Sequence, residues 1–266
     1  MTTADSNFSG SIAALYDRIL VPMKFRPYAE DLARRIAAAE PATILETACG
    51  TGIVTEAILR AVPDAVLIAT DLNPAMLDVA AARVASPRIS FRQADALALP
   101  FPDAAFDVVA CQFGVMFFPD RIHGYREARR VLKPGGRFLF NTWDRIEANP
   151  ATDLAARAVA ALFPADPPDF FARVPFGYHN RAAVEADLRA AGFTRIEAET
   201  VSMRSRIGSA REAAAGLCQG TPLRSEIEAR GSLDEATEAA AAALAPLVGP
   251  GGLDAPVSAH VFSAGG

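Results

Sequence analysis

Sulfur and imidazole are scarce in this chain of 266 residues, which holds three cysteines and three histidines. Cys49, Cys111 and Cys218 are an odd number and far apart, so they offer neither a disulfide framework nor metal-ligand spacing and read as reduced thiols in a cytosolic setting. The scattered histidines give no zinc pattern either, and no metal is expected. Positive charge is also short, with 26 Lys and Arg against 31 Asp and Glu and a formal net charge of −5. The arginines form no tract, so nothing builds a field for a phosphate backbone and nucleic acid is not an expected partner. The opening residues Met1 to Ser6 lack the basic and apolar regions of a secretion signal, and no uncharged apolar run is long enough to span a bilayer. A soluble, cytoplasmic protein with no membrane partner is expected.

What is present is a chain that is 51% apolar, enough for one substantial core carrying insertions. Short β-branched apolar runs alternate with amphipathic stretches, which predicts an α/β fold with a parallel sheet and helices on both faces. The expected strands are 43–46, 66–70, 89–92, 106–110 and 137–140, with two more at 195–201 and 257–262. Asn73 with Pro74 behind it, and Asn180 with Gly192 beyond, mark the ends of two helices. Lys133-Pro134-Gly135-Gly136 reads as a turn. Segments 8–30, 144–178 and 205–255 stand outside the alternation. They are too long for ordinary connections and are expected to form a helical cap or lid on a core made of 31–143, 179–204 and 256–264. The Ala-rich run 236–245 reads as a surface or cap helix.

The chemistry begins at Glu46-Thr47-Ala48-Cys49-Gly50-Thr51-Gly52. A strand that ends in glycines and opens a helix lets backbone approach a ligand at the carboxyl edge of the sheet. Asp71, at the end of the second strand, is placed to accept hydrogen bonds from a ribose diol, so an adenosine-type cofactor is expected. A dinucleotide fingerprint wants a third glycine where this chain has Thr55. Glu46 would repel a pyrophosphate but suits the ammonium and sulfonium of S-adenosylmethionine.

These blocks resemble the class I S-adenosylmethionine-dependent methyltransferases, in particular the small-molecule branch similar to the ubiquinone and menaquinone biosynthesis enzymes. The resemblance runs from about Thr43 to Trp143. It is carried by Ile44 to Gly52, by Asp71-Leu72-Asn73-Pro74-Ala75-Met76-Leu77, by Gln93-Ala94-Asp95-Ala96 and by Arg129 to Arg137. One position departs: Ala48 stands where the strict pattern has glycine. The resemblance implies a Rossmann-like seven-stranded sheet of order 3-2-1-4-5-7-6 with the last strand antiparallel. It also implies that Glu46, Ala48, Cys49, Gly50 and Gly52 face the methionine part of the cofactor. Asp71 would take the ribose hydroxyls, Leu72 and Met76 the adenine face, and Asp95 with Ala96 the adenine edge, with Gln112 and Phe113 near the donated methyl.

A sulfonium already carries an activated methyl, so a positioned small-molecule acceptor needs a base only if it must lose a proton. The catalytic residue is therefore unassigned, with His179, in the loop before a capped helix, as the one candidate base. Phe8, Phe25, Phe163, Phe170, Phe171 and Phe176 point to a partly apolar or aromatic acceptor. Two other readings stay open: a catalytically silent cofactor-binding or interaction protein, and an NAD(P)-dependent oxidoreductase. Against the latter, none of Tyr16, Tyr28, Tyr125 or Tyr178 has the lysine four positions on that short-chain enzymes need.

Overall fold

Two neighbouring residues of the first strand, β1 (Thr43–Glu46), show how the sheet is built. Ile44 and Leu45 are both fully buried, yet Ile44 joins an apolar cluster on one face and Leu45 a larger cluster on the other. Successive strand side chains point to opposite faces, so a strand apolar at both must be covered twice. The computed structural model describes residues 11–266, which leaves Phe8 of the expected cap outside the described residues. Covering one face are α2 (Arg26–Ala37) and α3 (Ile53–Ala61). On the other lies α5 (Arg121–Val131), whose Tyr125 packs among Phe138 and Phe140.

The sheet contains β2 (Val66–Asp71), β3 (Ile89–Gln93), β4 (Phe106–Gln112), β5 (Leu132–Trp143) and β6 (Arg195–Ile207), ending in β7 (Val248–Gly249) and β8 (Gly252–Gly265). Its order is β3-β2-β1-β4-β5-β8-β6, with β7 paired to β8. β8 runs antiparallel to both β5 and β6, whereas β1 to β5 pair in parallel. This is the expected mostly parallel Rossmann-like order, with the two-residue β7 as an eighth strand that forms a hairpin with the last one. The two final strands run longer than the sequence predicts. β6 and β8 pair along thirteen registered positions, from Arg195 opposite Gly265 to Ile207 opposite Leu253.

The turn expected at Lys133 to Gly136 is absorbed into β5 as an irregularity. Phe106 pairs with Leu132 and Val108 with Arg137, so the intervening Lys133 to Gly136 bulge outward, with Gly135 at φ 82°. Both predicted helix starts are present. Asn73 accepts from the Ala75 amide at the head of α4 (Pro74–Arg83), and Asn180 accepts from Ala182 and Ala183 at the head of α8 (Arg181–Ala190), whose chain leaves through Gly192 at φ 98°.

The N-terminal arm is one continuous run, α1 (Ser11–Leu15), a π-helical stretch Tyr16–Phe25, then α2. Alongside it pack α6 (Pro150–Leu162), α7 (Phe170–Arg173), α9 (Ala210–Gln219), α10 (Leu223–Glu228) and α11 (Leu233–Leu244), with α11 against α6 and α9, and α9 against the π stretch. The Ala-rich run is thus a packed helix, burying Ala236, Ala240 and Leu244. Much of the arm is core as well. Ile19, Leu20, Val21, Met23 and Tyr28 are buried, and the Tyr28 hydroxyl donates to the Val201 and Val257 carbonyls. Among the described residues no helix is long and apolar enough to cross a membrane.

Candidate active site

In a doubly wound sheet the crevice opens where neighbouring strands send their connections to opposite faces, here between β1 and β4. The carboxyl ends of β1, β2 and β4 carry Glu46, Asp71 and Gln112 to that edge. After Glu46 the chain turns tightly through Ala48 at φ 51°, Gly50 at φ 54° and Gly52 at φ 82° before entering α3. Left-handed backbone explains both glycines, and at Gly52 an added Cβ would also meet the Ala80 methyl at 3.0 Å. Ala48, the departure from the family pattern, keeps the conformation a glycine would have, at the strain cost of its Cβ.

Asp71 is the clamp of this turn. Its Oδ2 accepts from the Gly50 amide at 2.8 Å and its Oδ1 from the Asn73 amide at 2.9 Å. Two hydrogen bonds leave lone pairs on both oxygens. Burial raises its pKa, and the amides of Asn73, Gly50 and Leu72 oppose that rise. Glu46 is 1% exposed, and burial pushes its pKa up to about 8, against the hydrogen bond from Thr55. Thr70 Oγ1 donates to the Glu46 carbonyl and the Cys49 amide to the Thr70 carbonyl, so β1 and β2 hold the turn between them. Arg83 closes the far side, bonding to the Thr51 carbonyl and pairing with Glu56 and with Asp17 of the arm.

The other expected site residues are spread around this centre. Leu72 is 56% exposed beside Asp71, whereas Met76 is buried. Asp95 is exposed beyond β3, its Oδ1 accepting from the Leu97 amide, with Ala96 half-buried next to it. Cys49, like Cys111 and Cys218, is a free, buried thiol, and burial raises its pKa. Gln112 donates to the Phe25 carbonyl at 3.4 Å, and its Oε1 is buried with no partner among the described residues, as is the Thr51 hydroxyl.

Phe113 is a bulky residue at φ 53°, held by its amide, which donates to the Asn141 side chain at 3.0 Å. Strain of this kind collects at functional sites. Its ring stacks on Trp143 with centroids 3.7 Å apart and stands edge-on to Tyr28 and Phe25. Together with Phe170, Phe171 and Phe176, the rings of Phe25, Phe113 and Trp143 line a cavity of about 70 Å³. Of the cap phenylalanines foreseen from sequence, Phe163 instead packs by Gly231, away from that lining. Tyr16 is also in the wall and lies close enough to Asp71 for that carboxylate to raise its pKa, after the larger effect of burial. The cavity therefore adjoins the β1 crevice.

His179 is exposed and its Nδ1 is 2.7 Å from the Phe176 carbonyl, outside the cavity lining. A residue that sequence reading passed over does line it: Lys24, only 5% exposed. The available signal was scarcity, since Lys24 and Lys133 are the only lysines in the chain, and Lys24 sits in the apolar run Leu20-Val21-Pro22-Met23-Lys24-Phe25. A larger concavity of about 810 Å³ is open and polar-walled, lined by Arg35, Asp107 and Glu197 among others. It lies by the amino end of β1, where Asp107 bonds Thr43, away from the carboxyl edge.

Comparison with known proteins agrees with this geometry. Residues 44–136 match a family model described as a methyltransferase domain. A demethylmenaquinone methyltransferase of Deinococcus radiodurans is 41% identical over 113 residues, covering 40% of this chain and 47% of that protein. The chain thus spans about half the length of the curated relatives it matches. Among solved structures, the YcgJ protein of Bacillus subtilis superposes with a TM-score of 0.58 at 20% identity, covering 90% of this chain and 97% of that one. A Haemonchus contortus phosphoethanolamine N-methyltransferase 2 in complex with S-adenosyl-L-methionine gives a TM-score of 0.51 at 18% identity, covering 84% of this chain and 48% of that one. Both share the fold. Residues 44–136 of this chain are thus similar to a methyltransferase domain and are set in a Rossmann-like sheet.

Proposed function

We propose that the protein transfers a methyl group from S-adenosylmethionine to a small, partly apolar or aromatic acceptor in the cytoplasm. The observation that carries this reading is the adjacency of two spaces at the carboxyl edge of the sheet. One is a glycine turn with buried carboxylates, and the other is an aromatic-lined cavity whose wall includes Tyr16, which feels the Asp71 charge, and Phe113, next to the Gly114 that packs on Ala48.

The residues present fit the cofactor. A Cβ on Gly50 would meet nothing within 4 Å, which leaves open space over the turn, and Thr51 Oγ1 and Gln112 Oε1 are buried acceptors without partners among the described residues. Orphaned polar groups of this kind are what a bound polar ligand satisfies. Glu46 would face the ammonium and Asp71 the ribose diol through its remaining lone pairs. Leu72 and Met76 would cover the adenine, Asp95 and Ala96 would meet its edge, and Gln112 and Phe113 would border the methyl. When bound, the cofactor supplies an electrophilic methyl on a sulfonium. The chain's own part is to hold the acceptor in line and keep water out, which the ring-lined cavity suits.

A cavity of about 70 Å³ has room for a few waters and is too small for a substituted ring, so an acceptor enters as the surrounding cap segments shift. Incubation with methyl-labelled S-adenosylmethionine and a panel of phenols, quinols and amines tests the reading. Label should pass to one of the aromatic members. Cofactor binding with no transfer to any class would instead mark a silent cofactor-binding protein.

A further inference from the structure

Resting on that reading, the structure assigns the acceptor's chemistry through one side chain: we propose that Lys24 binds an aromatic acceptor by an ionisable hydroxyl, phenolic or enolic, and takes its proton. The Lys24 Nζ lies 4.2 Å from the centroid of the Trp143 ring, 5.6 Å from that of Phe176 and 6.0 Å from that of Phe25. Among the described residues its one hydrogen-bond partner is the neutral Thr152 hydroxyl, at 3.1 Å. Among the described residues no carboxylate pairs with it. Asp153, beside Thr152, is engaged by Arg157. Asp144, beside Trp143, is engaged by Ser258 and His260, and Asp17 on the arm is engaged by Arg83. Tyr16 is the other titratable group on the wall, and burial keeps its phenol protonated.

An amine walled by rings with no counter-ion among the described residues is an expensive way to fill space, since an apolar side chain would pack there without desolvating a charge. The same surroundings suit a proton acceptor. Burial brings the Lys24 ammonium down from the ordinary lysine range to about 7, so much of it is free amine near neutrality. When a hydroxyl on a ring stacked in the cavity meets Nζ, the O–H bond breaks and an N–H bond forms. The products are an oxyanion and an ammonium in contact, with the Trp143 face 4.2 Å away to stabilise the cation. Net charge is unchanged, and the oxyanion is the nucleophilic form of the acceptor. The backbone carries a second sign of specialisation, because Lys24 lies in a ten-residue π-helical stretch, a geometry that concentrates at functional sites.

The test uses 4-nitrophenol, whose anion absorbs visible light, titrated into the full chain with and without S-adenosylhomocysteine. The wild type should bind it and raise its anion fraction at pH 6 above that in buffer. Lys24→Met should bind at least tenfold more weakly, with no excess anion, and Lys24→Arg should bind without taking the proton. Fluorescence of Trp143, the chain's single tryptophan, should titrate near pH 7 in the wild type and lose that step in Lys24→Met. Calorimetry with S-adenosylhomocysteine should be the same for both proteins, which shows the variant folded and tests the cofactor reading separately. Absence of 4-nitrophenol binding by the wild type, or an equal affinity and anion fraction in Lys24→Met, overturns the assignment. Loss of S-adenosylhomocysteine binding by the wild type would overturn the methyltransferase reading instead.

Discussion

The Thr55 hydroxyl donates a 2.6 Å hydrogen bond to Oε2 of Glu46, one helical turn into α3 from the glycines. The position that breaks the dinucleotide fingerprint is thus the one that steadies the buried carboxylate. Glu46 has a pKa of about 8 in the folded protein, well above the ordinary carboxylate range. Between about pH 4.5 and 8 the folded state therefore holds a proton there that the unfolded state releases, and stability falls as pH rises through this window. Glu46→Gln should remove that dependence, read as the difference between the two proteins' melting temperatures from pH 5 to 8. An identical pH dependence would show that Glu46 ionises normally.

With Glu46 facing the cofactor's ammonium, as proposed, the same carboxylate should couple cofactor binding to pH. A cationic ligand favours the ionised form, so affinity for S-adenosylmethionine should rise with pH up to about 8, with proton release during binding. Calorimetry in two buffers of different ionisation enthalpy measures that release. Glu46→Gln should bind at least about tenfold more weakly, as expected for one charge-assisted bond of roughly 1.5–3 kcal/mol, and without the pH slope.

Asp71 clamps the turn and, in the proposed function, also holds the ribose. Asp71→Ala leaves the Gly50 and Asn73 amides without their partner, so it should cost about 1–3 kcal/mol in urea unfolding as well as weakening S-adenosylhomocysteine binding by tenfold or more. Asp71→Asn keeps one acceptor and should recover part of the stability, with little of the affinity. Unchanged affinity in Asp71→Ala would remove the ribose role and leave only the clamp.

Ala48 offers a stabilising change. Left-handed backbone costs a residue with a Cβ roughly 1–2 kcal/mol, partly offset by the greater freedom of glycine when unfolded, so Ala48→Gly should gain about 0.5–1 kcal/mol. Gly114 is the opposite case. An added Cβ would lie 2.5 Å from the Ala48 methyl and 2.6 Å from Cys111 Sγ, so Gly114→Ala should destabilise by about 1–3 kcal/mol. Chemical denaturation of the two variants checks both signs.

Elements with a local cause were legible in the sequence. The β1 boundaries at Thr43 and Glu46 follow from an apolar run ended by a turn, and the Asn73 and Asn180 caps from their own side-chain chemistry. What escaped depended on contacts distant in sequence. Tyr28 reads as part of a mobile lid until its hydroxyl is seen fixed by carbonyls of β6 and β8, 173 and 229 residues away. The length of those two strands comes from pairing with each other, which no single stretch announces. Lys24 stands out in sequence only by its scarcity, because its meaning comes from Trp143 and Thr152, over a hundred residues on. The glycine turn itself was legible, but the hold of Asp71 on the Gly50 amide and the link from Thr55 to Glu46 were not.

The most direct test of the central claim is thermal unfolding of the wild type with S-adenosylmethionine, S-adenosylhomocysteine or NAD. A ligand that binds only the native state adds about 2.7 kcal/mol at a hundred times its dissociation constant. The two sulfur nucleosides should raise the melting temperature by several degrees, and NAD should leave it unchanged. A shift with NAD and none with either sulfur nucleoside would contradict the account.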